Sequence, residues 1–367
     1  MDWYQLTNEA EVPSPSLLLF EERIEANLRK MVEMVGDPAR LRPHVKTHKL
    51  GPIVARQLEL GITKFKCATL AEAEMTASAG AHDVLLAMPA VGPAIARLCA
   101  LAQKFPSTHF STLVDDAGAI RALGAGVAAA GRTLDVYLDI DCGQHRTGVP
   151  PDDHAIELYR LAGSTHGLHL AGLHAYDGHI HVADLGTRKA MFEEAYEPVL
   201  ALRQKLEAAG LPVPVLIAGG SPTFPFHAKC TDRQCSPGTT VLWDFGYSDQ
   251  LPDLPFQPAA VLLTRVVSKP GPRWLCLDLG HKAVAAENPH PRVRLLELPE
   301  ATAVSQSEEH LVIETPCASE FSVGDTLHGI PRHVCPTVAL YSEATHVRGG
   351  AAVDRWPILA RARRITV

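Results

Sequence analysis

The residues best able to do chemistry in this chain lie in one short run, Arg42-Pro43-His44-Val45-Lys46-Thr47-His48-Lys49. Side chains alternate along an extended segment, so Arg42, His44 and Lys46 would share one face. Three cationic types on one strand face either meet an anion or a carbonyl, or mark a solvated strand end. A lysine desolvated there would have a depressed pKa and could attack a carbonyl to form a Schiff base. A second run is Ala218-Gly219-Gly220-Ser221-Pro222-Thr223. Its glycines would let backbone N–H groups approach phosphate oxygens, and Ser221 and Thr223 would add hydroxyl donors. Histidine is abundant, with 18 residues, and it clusters at His44 and His48 and at His174, His179 and His181. Such clusters suit acid–base or metal chemistry.

These groups need elements to position them. From about residue 21 to 245, apolar runs alternate with amphipathic or alanine-rich segments. The runs predict strands at Leu41–Lys46, Thr63–Ala68, Asp83–Ala87, His109–Val114, Leu134–Asp141, Leu168–Tyr176, Pro214–Ala218 and Thr239–Trp243. Helices are expected at Ala71–Ala79, Gly92–Phe105, Ala117–Ala130 and Arg188–Ala209. Several runs are continuously Val/Leu/Ile, as parallel strands buried on both faces should be. Eight βα units in this length point to an α/β fold, a (β/α)8 TIM-like barrel, whose catalytic groups project from the C-terminal strand ends. Lys46 would sit at such an end, and the Gly-Gly-Ser loop would follow the seventh strand, where barrels often hold phosphate. Past Trp243, short strand-like runs (Ala259–Ser268, Trp274–Asp278, Val293–Leu298, Leu311–Thr315, Thr326–Ile330, Thr337–Val347) are separated by Pro/Gly punctuation, which reads as an all-β C-terminal domain. The expected division is an N-terminal segment over 1–20 able to pair with the β domain, the barrel over 21–250, and the β domain over 251–367.

Composition narrows the function classes. The 367 residues carry 34 Lys+Arg against 41 Asp+Glu, a net charge of −7, so there is no basic footprint for nucleic acid. With 46% hydrophobic and 20% charged residues the chain can bury a full core, which excludes global disorder. No apolar run approaches the roughly 20 residues that span a bilayer, and the start lacks a signal-peptide pattern. No membrane partner and a cytoplasmic location are therefore expected. The eight cysteines form no CxxC pair and read as free thiols.

A lysine on the first strand and a phosphate loop after the seventh, opening on one cavity, suit pyridoxal 5′-phosphate: the phosphate anchored on one side, the aldehyde captured on the other. The motifs RPHVKTHK, HRTG, AGGSPT and His333-Val334-Cys335-Pro336-Thr337, in that order, resemble the fold-type III pyridoxal-phosphate enzymes of the D-threonine aldolase and D-serine dehydratase family. The resemblance runs from about Val12 to the C-terminus and implies an alanine-racemase-like barrel plus β domain. It implies that Lys46 carries the cofactor, that Gly219, Gly220, Ser221 and Thr223 cradle its phosphate, and that Arg146 lies near the ring oxygen. Tyr176 would lie near the pyridine nitrogen, and His44 and His179 complete the catalytic candidates with Lys46 and Tyr176. His333 and Cys335 match the family's metal pair; their i, i+2 spacing would put both on one strand face. Imidazole plus thiolate favours zinc, with manganese or magnesium as alternatives. Relatives sharing their active sites between subunits imply a homodimer.

The function this implies is a metal-assisted lyase acting on a β-hydroxy-D-amino acid, with retro-aldol cleavage by a D-threonine aldolase the leading expectation. The alternative is a D-serine or D-threo-3-hydroxyaspartate dehydratase, favoured by Cys335 where aldolase members tend to carry aspartate. More distant are an amino-acid racemase, a metal hydrolase using His179 and His181, and a non-catalytic cofactor carrier.

Overall fold

The computed structural model describes residues 2–367. Strand β1 (Ser16–Phe20) comes first. Seven strands then alternate with helices: β2 (Lys64–Cys67), β3 (Asp83–Leu86), β4 (His109–Val114), β5 (Leu134–Ile140), β6 (Leu168–Ala175), β7 (Val215–Ala218) and β8 (Gln234–Cys235). The rest of the chain supplies β9 (Ala260–Gly271), β10 (Trp274–Leu277), β11 (Val293–Leu295), β12 (Thr302–Gln306), β13 (Leu311–Glu314), β14 (Thr326–Pro331), β15 (Glu343–Arg348) and β16 (Ala351–Pro357). Two compact units result. One comprises Met31–Lys46, Gly51–Gly238 and Ala362–Val367; the other takes the chain up to Lys30, Thr47–Leu50 and Thr239–Arg361.

In the first unit β2 to β8 form a parallel sheet in chain order. The expected first strand is not a regular one. Leu41 bridges Cys235 of β8 and His44 bridges Lys66 of β2, so this segment spans the barrel between its last and first strands by two isolated parallel contacts. Pro43 has no N–H to continue a ladder, and Val45–Thr47 then turns into a short 3-10 helix. The eighth strand is also corrected: it is Gln234–Cys235, while Thr239–Val241 is a 3-10 helix. Short polar side chains cap the helices: Thr69 accepts from Glu72 N–H and Asp116 from Ala119 N–H, close to the expected starts. Asp184 accepts from Thr187 N–H and starts its helix at Leu185, and Asp152 accepts from His154 and Ala155 N–H to start a helix over Asp153–Ser164 that was not expected. Leu85, Leu113, Tyr137, Ala171 and Ile217, one from each of five successive strands, pack into one apolar cluster and fill the barrel. Among the described residues, no helix is long and apolar enough to cross a membrane.

In the second unit the strands form one nine-stranded sheet, with the path β12-β13-β10-β9-β1-β15-β16 and with β14 pairing both β9 and β11. Strand β1 lies between β9, antiparallel, and β15, parallel. Leu18 and Phe20 of β1 pack with Val261, Leu263 and Val347. The strand expected over Thr337–Val347 is corrected: Val334–Val338 is a short helix, and the strand begins at Glu343. Strands β12 and β16 were not expected, because both are largely solvent-facing and lack an apolar alternation.

Candidate active site

The barrel's two ends hold different chemistry. At the N-terminal strand ends, Arg42 is fully buried and makes two bonds to Asp83, at 2.6 and 2.9 Å. His109 meets Asp135 at 3.1 Å, and His169 meets the same carboxylate at 2.8 Å. Arg42 therefore serves the barrel floor. The expectation that it shares an anion site with Lys46 is corrected, because its charge is neutralised by Asp83.

At the other end, side chains from three segments converge on the Tyr176 ring. The Lys46 ammonium lies 5.8 Å from the ring centroid, the Lys66 ammonium 5.3 Å, and the Arg146 guanidinium carbon 5.0 Å. The 3-10 turn sets Lys46, whose backbone N–H donates to His44 Nδ1 at 3.3 Å. Lys46 is half-buried, whereas Lys66 is 3% exposed, so the desolvated lysine expected at 46 is found at 66. Burial, together with the charges of Lys46 and Arg146, pulls the Lys66 amine down to about 7, against the opposing pull of Asp139 and Asp177.

Beside this cluster, Asp139 takes His174 Nδ1 at 2.6 Å and the Thr147 hydroxyl at 2.8 Å. Burial and the charge of Lys66 lower the His174 pKa, so the ring is neutral, donates from Nδ1 and leaves Nε2 as an acceptor. Nε2 is buried and has no partner among the described residues. His179 is half-buried, and burial likewise lowers its pKa. Its ring packs so closely on Gly143 (φ +118°) that a Cβ there would stand 2.8 Å from His179 Nε2.

The loop after β7 is held from inside. Gly219 N–H donates to the Ala175 carbonyl and the Tyr196 hydroxyl, and Gly220 N–H to Asp177 Oδ1 at 2.9 Å. These two amides, expected to meet phosphate, already have acceptors. Gly219 (φ +79°) is required here, since a Cβ would lie 2.3 Å from the His227 ring. The Ser221 hydroxyl accepts from Gly238 N–H at 3.1 Å, and Ser236 N–H donates to the Ala218 carbonyl, so the loops after β7 and β8 are tied together. Ser236 adds a buried hydroxyl without a partner among the described residues. Thr223 is fully buried.

In the second unit His333 caps the short helix Val334–Val338, and Cys335 sits in its first turn, so the pair is not on a strand face as expected. The two remain together: Cys335 is among the groups that raise the His333 pKa against burial, and the His333 ring hydrogen-bonds Glu287 through Nδ1 at 2.6 Å. The Cys335 sulfur lies 3.3 Å from the Thr47 hydroxyl and 3.6 Å from that of Thr239. Asp244 holds the turn by accepting Val334 N–H at 3.0 Å. Among the described residues, no group of three or more His, Cys, Asp or Glu side chains is arranged to hold a metal. Any ion here would have two protein ligands, with Glu287 orienting the imidazole.

Sequence reading missed Lys66, Asp139, Asp177, His227, Ser236 and Glu287. The alternation of Lys64 and Lys66 along β2 was the one available signal, because an inward lysine on a barrel strand requires a partner.

The fold is a βα barrel, and this cluster gathers three cationic side chains around the Tyr176 ring at one end of it. Comparison with known proteins agrees. The chain matches the family described as "Alanine racemase, N-terminal domain" over residues 21–243 and that described as "Putative serine dehydratase domain" over residues 259–347. It is 32% identical to a D-threonine aldolase of Arthrobacter sp., over 96% of this chain and 93% of that protein. The crystal structure of D-threonine aldolase from Filomicrobium marinum superposes with a TM-score of 0.89 at 30% identity, covering 97% of each chain. D-threo-3-hydroxyaspartate dehydratase from Delftia sp. HT23 gives 0.82 at 25% identity, over 96% of this chain and 98% of that one. The chain belongs to the D-threonine aldolase and D-serine dehydratase family of fold-type III pyridoxal-phosphate enzymes.

Proposed function

We propose that this protein is a pyridoxal-phosphate- and divalent-metal-dependent lyase of β-hydroxy-D-amino acids, acting as a D-threonine aldolase that releases glycine and an aldehyde. The observation that carries the reading is the meeting of Lys46, Lys66 and Arg146 around the Tyr176 ring, an excess of positive charge that fits an anionic aldehyde cofactor. When bound, that cofactor supplies an aldehyde for an amine and a ring that accepts electrons from the substrate α-carbon.

Lys46 is the amine that would hold the aldehyde, and Tyr176 flanks the ring. The tied loops after β7 and β8 would seat the phosphate through Ser221, Thr223 and the Ser236 hydroxyl, with Gly219 and Gly220 shaping the turn, their amides being held by Ala175, Tyr196 and Asp177. His179, kept neutral by burial, is able to take the proton of the substrate hydroxyl, and His44 positions Lys46 through its backbone N–H. His333 and Cys335 would hold one divalent ion, zinc favoured, with positions left for water and the substrate hydroxyl. Such an ion supplies Lewis acidity to that hydroxyl.

We place the enzyme in the cytoplasm, in keeping with eight cysteines that form no disulfide among the described residues, and as a homodimer, which light scattering at micromolar concentration would reveal. The second reading, a dehydratase, draws on Cys335 as a thiolate ligand. Turnover of D-threonine, dependent on added cofactor and abolished by a chelator, tests the proposal; loss of neither on depletion would refute it.

A further inference from the structure

The proposed chemistry leaves one buried amine without a task. Lys66, on β2, is 3% exposed, and its Nζ has no hydrogen-bond partner among the described residues. An unpaired ammonium inside a protein costs several kcal/mol, roughly, so such a group persists where a partner arrives. The nearby carboxylates are already engaged: Asp139 by His174 and Thr147, Asp177 by His227 and Gly220 N–H. Lys66 also lies close to the Tyr176 ring together with two further cations, Lys46 and Arg146. Its low pKa, about 7, is that of an amine awaiting an anion, since burial and Lys46 head the causes.

Position selects the anion. Lys66 neighbours the segment that carries Lys46, through the parallel bridge between His44 and Lys66. In pyridoxal phosphate the ring oxygen and the phosphate arm are carried by the two ring carbons that flank the one bearing the aldehyde, so they lie on opposite sides of it. The Lys46 segment lies between β8 and β2, so with the phosphate seated by the loops after β7 and β8 on one side, an amine on β2 on the other side meets the ring oxygen.

We propose that Lys66 is a cofactor-binding residue whose ammonium donates a charge-assisted hydrogen bond to the ring oxygen of pyridoxal phosphate. This rests on the cofactor reading above, and the test separates the two. The full-length wild type and Lys66→Met are titrated with pyridoxal phosphate, followed by visible absorbance, and then reduced with borohydride to locate the labelled lysine. Loss of a charge-assisted bond should raise the dissociation constant tenfold or more and change the balance of visible and near-ultraviolet bands, with label still on Lys46. Lys66→Gln, which keeps a donor, should recover part of the affinity; it also serves if the methionine variant fails to fold. Unchanged affinity and spectrum in both variants would overturn the assignment, as would a change confined to the KM for substrate. A wild type that takes up no pyridoxal phosphate at all would overturn the cofactor reading itself.

Discussion

His227 Nε2 stands 2.9 Å from Asp177 Oδ2, with neither side chain exposed, and the other oxygen of Asp177 takes Gly220 N–H. One buried carboxylate thus ties the residue after Tyr176 to the loop after β7. Burial alone would raise the Asp177 pKa, but His227, Thr223 and Gly220 N–H outweigh it and hold the carboxyl below its usual range. Asp177→Asn should lower stability by about 3 kcal/mol, the scale of breaking a buried pair, and weaken cofactor binding. Because the folded carboxyl ionises at lower pH than the unfolded one, its contribution is complete above roughly pH 4 and is lost as pH falls through the folded value. Thermal unfolding of both proteins against pH should show their gap closing in acid; a gap that widens there would contradict the pair.

Lys46→Ala should fold, keep its circular dichroism, and take up no borohydride-stable cofactor, because alanine has no amine to hold the aldehyde. Label appearing on Lys49 or Lys282 in that variant would move the assignment.

Chelation should remove activity while leaving the cofactor absorbance, since Lys46 and the metal pair are separate donor sets. Metal occupancy should fall as pH drops, because thiolate and imidazole must lose their protons to bind. Cys335→Asp should shift preference from zinc toward manganese or magnesium. Metal analysis that finds no ion in active protein would end this reading.

At the barrel floor, the carboxylates of Asp135, 3.1 Å away, and Asp83, 4.0 Å away, raise His109 to about 10, despite its partial burial. A raised pKa stabilises the fold fully below the unfolded value, roughly 6.5, and the benefit is lost as pH rises through about 10. The stability of wild type over His109→Gln should therefore be largest near neutral and lower pH and should vanish above that point. Equal pH dependence of the two proteins in urea unfolding would contradict it.

How far the sequence could be read depended on whether a residue's neighbours were local. The barrel was legible because its parallel strands carry continuous apolar runs between alanine-rich or amphipathic segments, whereas the helix over Asp153–Ser164, capped by Asp152, was not read from the sequence. Lys46 and the His333–Cys335 pair stood out as motifs. The role of Arg42 was not legible, since its partner Asp83 is 41 residues away in the chain. Lys66 was equally hidden: nothing in KFKC says that its amine ends beside the Tyr176 ring. The helix at Val334–Val338 escaped because its capping contact comes from Asp244.

The most direct measurement is product identification after incubating the cofactor- and metal-loaded enzyme with D-threonine. Carbon–carbon cleavage yields glycine and acetaldehyde in equal amounts, and that is the expected result. Ammonia and 2-oxobutanoate with no glycine would show loss of the hydroxyl instead, and would contradict the aldolase in favour of the dehydratase.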